Sequence, residues 1–219
     1  MTLPLPNQTA LRRAAVGLAL VLAMGVAGCV SLFPKEQPAQ LYRFSPQMAG
    51  PSASMDAQRI PISLSPIQFT AAASGDRLLT MTGDEAAYIE GARWVSTAQS
   101  QFDEAVNKAF DATATATRIV EPRQAGAAKL SMNLSVESFE TRYDDGPKGA
   151  PKVVVALRAQ IVRYPDRAVI GETVFHSEQP VSDNRVGAIV QGYDAAVTSV
   201  LKDLAAWTDQ KAQAGAQTN

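Results

Sequence analysis

One cysteine, one histidine and one pair of adjacent aspartates are the side chains in this 219-residue chain that most invite a chemical reading. Cys29 has no second thiol and cannot close an intramolecular disulfide. Nor can it build a structural zinc site, which takes about four Cys or His ligands. His176 falls in a strand-like run and has no second histidine to share a metal with. A solvated or hydrogen-bonded strand residue is its plain reading. Asp144 and Asp145 belong to "DDGPKG", a turn composition in which neighbouring acids are normally solvated. No GxSxG, HExxH or GxxxxGK[ST] occurs. A nucleophile elbow, a zincin helix and a P-loop phosphate cradle are therefore excluded. The expectation is a chain with no catalytic residue, no metal site and no cofactor.

The chemistry of Cys29 comes from what precedes it. Arg12 and Arg13 form a positive start, and Ala14 to Gly28 is an uncharged run of 15 residues ending in small side chains. As a helix that run would reach about 22 Å, short of a hydrocarbon core of about 30 Å. Positive start, short apolar run and small-residue end describe a secretory signal peptide over residues 1–28. Val26-Ala27-Gly28-Cys29 resembles the bacterial lipobox. The resemblance implies diacylglycerol on the Cys29 sulfur, cleavage between Gly28 and Cys29, and acylation of the new amino group. Two or three acyl chains, at about 0.8 kcal/mol per buried CH₂, anchor stably where one would not. The alternatives are an ordinary signal with a chance cysteine and an uncleaved anchor.

Removing the signal takes away two arginines and no acid, so the formal charge goes from −1 to −3 over 191 residues. That mild charge argues against nucleic acid as a partner. Residues 29–40, with Pro34 and Pro38, read as a lipidated tether. Residues 41–207 read as one domain, and 208–219 as a disordered tail without apolar periodicity.

The best binding candidate is aromatic. In "DRLLTMTGDEAAYIEGARWVSTAQSQF", Tyr88 and Trp94 flank a Glu-Gly turn, with Glu90 and Arg93 between them. Large aromatics dominate cores and interfaces alike. Trp94, just before a helix, is expected to plug the core beneath it, and Tyr88 to stay near the surface. All four residues are candidates for contact with a partner.

The elements that must position these residues follow from periodicity. "LYRF" and "RIPISLSPIQF" read as strands, the latter at an edge or bulged because Pro61 and Pro66 cannot donate to a ladder. From Ser96, which with Gln99 reads as a capping box, the spacing of Phe102, Ala105, Val106, Ala109 and Phe110 predicts a helix with one apolar face. "RIV", "KLSMNLSVES", "KVVVALRAQIVRY" and "AVIGETVFHSE" read as further strands, the last three as an antiparallel meander. Asp183 would cap a second helix with the stripe Ile189, Tyr193, Val197, Val200, Leu201 and Leu204. The prediction is a single α/β domain: a mixed, mostly antiparallel sheet flanked by two main amphipathic helices.

A lipobox, then "LYRF", a proline-broken strand, and Tyr-x-Glu-Gly-x-x-Trp running into a helix together resemble the ABC-type transport auxiliary lipoproteins. These are the PqiC-like proteins that accompany MCE-domain lipid transport systems. The resemblance covers about residues 29–207 and departs at the long charged loop "YDDGPKGAPK". It implies a fold related to the N-terminal domain of TolB, no catalysis, and no cofactor beyond the lipid on Cys29. It also implies an MCE-domain protein and its ABC transporter as partners, and the periplasmic face of a Gram-negative outer membrane as location. A ring-shaped partner would suit a homo-oligomer. Two other functions stay open: an outer-membrane assembly lipoprotein, and an envelope hydrolase working through Asp144, Asp145 or His176.

Overall fold

The computed structural model describes residues 38–48, 59–120, 122–146 and 148–216. The expected signal peptide, Gly28, Cys29 and the tether up to residue 37 lie outside them. In chain order the elements are β1 (Gln40–Tyr42), β2 (Ile60–Leu64), β3 (Gln68–Phe69), β4 (Arg77–Thr82), β5 (Glu85–Trp94) and α1 (Ala98–Thr113). There follow β6 (Thr117–Val120), a 3-10 turn (Pro122–Ala127), β7 (Leu130–Arg142), β8 (Lys152–Arg163), β9 (Ala168–Pro180) and α2 (Val186–Ala216).

Strand β7 organises the sheet. Along one side it pairs antiparallel with β8 over its whole length, and β8 pairs in the same way with β9. Along the other side it takes three parallel partners in succession: β2 at Leu130–Met132, β3 at Ser135–Val136 and β4 at Thr141–Arg142. Behind β2 lies β6, and behind β4 lie β5 and then β1. The sheet of nine described strands is thus mixed, and antiparallel over most of its paired length. The predicted meander is β7, β8 and β9.

The alternation in β7 sends Leu130, Met132, Leu134 and Val136 inward, and a bulge between Val136 and Ser138 keeps Phe139 and Thr141 on the same face. Central strand β8 buries both faces, as its apolar run predicts. Val154 and Ala156, on the side away from the helices, lie between the polar residues Glu140, Ser138, His176 and Glu178 of the flanking strands.

Phe139 is the hub of an aromatic cluster. Its ring centroid lies 4.7 Å from Tyr193, 5.4 Å from Phe44, 5.6 Å from Phe69, 6.2 Å from Phe102 and 6.3 Å from Trp94. Those five rings come from the segment after β1, from β3, β5, α1 and α2. One face of the sheet therefore receives both helices, and the core lies between. The stripe predicted for α2 is buried throughout. After β1, Phe44 enters the core, and the chain is then held on α2: Ser45 N–H donates to Asp194 Oδ1 (2.5 Å) and Gln47 N–H to Thr198 Oγ1 (2.9 Å). Burial raises the Asp194 carboxyl above its ordinary range.

Four local expectations are corrected. Strand β2 is internal, between β6 and β7, despite Pro61. Ile60 N–H donates to Ala116 on the β6 side and Ser65 N–H to Met132 on the β7 side. By alternation the donorless Pro61 nitrogen faces β7 one residue before that ladder begins, so no sheet bond is lost. The cap of α1 is Thr97, whose Oγ1 accepts from Ser100 N–H at 3.2 Å, rather than Ser96. Asp183 pairs with Arg185 ahead of α2 and does not cap it.

The fourth correction is the largest. Residues 208–216 are not a disordered tail but the end of α2, with Thr208, Asp209 and Ala212 buried. Asp209 accepts four hydrogen bonds: from Thr115 N–H (2.6 Å) and Oγ1–H (3.0 Å), and from Thr117 N–H (2.9 Å) and Oγ1–H (2.6 Å). A polar stretch is held here by satisfying the connection between α1 and β6, which apolar periodicity could not reveal. No helix among the described residues is long and apolar enough to cross a membrane.

Candidate functional site

The segment from Asp76 to Trp94, expected to connect a strand to a helix, is itself a hairpin of β4 and β5. Gly83 and Asp84 form its two-residue turn, with Gly83 at φ 59°. The signal for it was in the sequence: Gly-Asp between two runs of strand-forming residues. The pairing runs regularly from Thr82↔Glu85 to Leu79↔Tyr88, then jumps to Arg77↔Arg93. Residues 89–92 of β5 thus face the single residue Leu78 of β4. This bulge, with Gly91 at φ 67°, replaces the expected Glu-Gly turn.

The bulge decides which side chains face where. Ala92 and Trp94 turn into the core, while Glu90 stays exposed. Trp94 is 2% exposed and packs edge-on against Phe44 (5.3 Å) and Tyr193 (5.2 Å). It is a core residue, as expected, but its helical ring partner Tyr193 belongs to α2, not to α1. A side chain so enclosed cannot touch a partner and leaves the set of candidate contacts.

Tyr88 is half-buried. Its hydroxyl donates to the Ala72 carbonyl at 3.0 Å, and the Arg77 guanidinium lies 3.8 Å from its ring centroid. At an exposed site such a cation–π contact stabilises by about 0.5–1 kcal/mol. Arg93 donates Nη1–H to Asp76 Oδ2 at 2.9 Å, both groups being nearly half exposed. Two residues that sequence spacing did not single out, Arg77 and Asp76, therefore complete the surface begun by Tyr88, Glu90 and Arg93. None of these contacts pairs a nucleophile with a base. The surface offers one aromatic ring, two arginines and two acids, which suits recognition.

The other chemical candidates are held in a surface chain of ion pairs. Lys152 Nζ lies 2.8 Å from both Asp144 Oδ2 and Glu178 Oε2, and His176 Nε2 lies 3.7 Å from Glu178 Oε1. Hydrogen bonding from Lys152 holds the Glu178 carboxyl below its ordinary range, and hydrogen bonds to Asp144 and Glu178 raise the Lys152 ammonium. Asp145 is exposed in the turn, and His176 is a solvated residue on β9. Among the described residues no group of three His, Cys, Asp or Glu is placed to hold a metal ion.

With this geometry in hand, comparison with solved structures identifies the fold. A Xanthomonas campestris protein of the DUF330 family superposes with a TM-score of 0.68 at 19% identity, covering 81% of this chain and 99% of that one. A second structure, of an uncharacterized protein, gives 0.56 at 13% identity over 80% of this chain and 99% of that one. Comparison with curated proteins finds no match. Residues 42–205, from the last residue of β1 to within α2, match a sequence-family model. The chain belongs to the ABC-type transport auxiliary lipoprotein components.

Proposed function

We propose that this protein is a non-catalytic, lipid-anchored component of an ABC/MCE-type lipid transport system. It docks the trans-envelope carrier at the periplasmic face of the outer membrane. The observation that carries the reading is the family match over residues 42–205, which includes the whole Tyr88 surface. The signal segment supports the anchor, because its apolar run ends at Gly28 and Cys29 follows. Val30 stands where an aspartate would favour inner-membrane retention, which supports the outer membrane. A ring-shaped carrier would be met by a homo-oligomer of this chain.

Intact-mass measurement tests the anchor. Wild type is expected to begin at Cys29 with two or three acyl chains, and Cys29→Ala to carry none. An unmodified wild-type cysteine, or cleavage at another bond, overturns the anchor. Sedimentation with the inner membrane in a sucrose gradient overturns the placement.

Co-purification in mild detergent tests the partner. Capture of an MCE-domain protein supports the docking role; a porin or secretin in its place would support an assembly lipoprotein. Tyr88→Ala is a poor probe of the surface, because it also removes the bond to Ala72 and the contact with Arg77. Glu90→Lys is cleaner, since Glu90 is exposed. It should leave the melting temperature unchanged and weaken capture several-fold, as a charge reversal at an interface rim does. Wild-type capture by both Glu90→Lys and Arg77→Glu would move the contact surface elsewhere.

A further inference from the structure

The C-terminal turns of α2 and the turn joining β8 to β9 enclose a cleft of about 450 Å³. Small-molecule sites span roughly 300–1,000 Å³. The cleft depends on the helix continuing beyond residue 207, because Ala212 forms part of its wall. Its floor is apolar: Leu130 and Ala212 are buried, and Ile60 is half-buried. Its lip is different. Tyr164 is 45% exposed there, beside Lys129 and Arg163. Arg163 donates through Nε and Nη2 to Asp166 at 3.3 and 2.7 Å, so one carboxylate offsets one of the two cations. Lys129 is exposed, and its ammonium meets no acid among the described residues.

An apolar floor under a lip of net charge +1 has a chemical counterpart, a molecule with one acyl chain and one negative head. A purely apolar ligand would desolvate the lip cations without pairing them. A free inorganic anion would gain nothing from the floor. An added peptide strand would find the Tyr164 N–H already donating to the Lys129 carbonyl at 2.8 Å. We propose that this cleft binds a single-chain anionic amphiphile, with its chain along Ile60, Leu130 and Ala212 and its carboxylate or phosphate against Lys129. The site goes beyond the docking role and stands or falls apart from it.

Photo-labelling tests the site on the mature lipidated chain held in nanodiscs of zwitterionic lipid. Three diazirine probes of equal chain length are compared: palmitate, lysophosphatidic acid and the neutral hexadecanol. Peptides containing Tyr164 and Ala212 should take label from the acids and little from the alcohol, and the better acid identifies the head group. Lys129→Glu should lower that labelling about tenfold at sub-saturating probe, whereas Lys129→Arg retains it. Capture of the transport partner by Lys129→Glu should match wild type, so the two functions can fail separately. Equal labelling by the alcohol, label spread evenly over the surface, or wild-type labelling of Lys129→Glu each overturns the site.

Discussion

Phe139→Ala is expected to lower folding stability by about 3–5 kcal/mol, the usual cost of truncating a buried phenylalanine. Phe139 is 2% exposed, and its ring meets rings from five other segments. The cavity would therefore open where the sheet and both helices meet, with few neighbours free to collapse into it. A domain is stable by about 5–15 kcal/mol in total, so this one change removes a large share. Trp94→Ala, in the same cluster, is expected to fall in the same range. Phe139→Leu retains most of the volume and should cost less than about 1.5 kcal/mol. Urea unfolding at constant slope provides the measurement. Glu137→Ala is the control, two residues away on the solvent side of β7, where its carboxylate meets Arg158 at 2.6 Å. It should leave the midpoint nearly unchanged, as exposed ion pairs contribute little. Equal effects of Phe139→Ala and Glu137→Ala would mean that the bulge between Val136 and Ser138 is misplaced and the faces of β7 are reversed.

Asp209→Ala is expected to cost about 3–4 kcal/mol, because it leaves two backbone N–H groups and two hydroxyls without their shared acceptor. The Thr117 bonds are buried, so water cannot readily replace the carboxylate there. Asp209→Asn keeps the shape but turns one acceptor into a donor. The threonine hydroxyls can rotate to accept from it, while one backbone N–H cannot, so the cost should be about 1–2 kcal/mol. Hydrogen exchange localises the effect: the Thr115 and Thr117 amides should lose protection in Asp209→Ala beyond the global change. A loss under about 0.5 kcal/mol in Asp209→Ala would show that the end of α2 is not held against the start of β6.

Tyr88 illustrates why the surface proposed for docking was only partly legible. Its neighbour Ala72 comes from the turn before β4, and Arg77 through a hairpin whose β4 strand is buried at Leu78, Leu79 and Thr80 in succession, so the strand lacks the alternation that marks a half-exposed one. The bulge at residues 89–92 then breaks the period in β5 as well. Local pattern names the aromatic residues; pairing register decides that Trp94 is inside and Glu90 outside.

The sequence by itself determined the meander β7–β9, the apolar stripes of α1 and α2, the mixed α/β class and the family. Each of these rests on a period of two or about 3.6 residues, or on a contiguous motif, and such patterns are complete within one segment. Tertiary structure alone decided that β2 is internal, that β7 takes three parallel partners along one side, and that α2 reaches Ala216. The physical reason lies in distance along the chain. Pro61 is tolerated because of where β7 begins, about 70 residues later. Asp209 is ordered because Thr115 and Thr117, 94 and 92 residues earlier, present four donors to it.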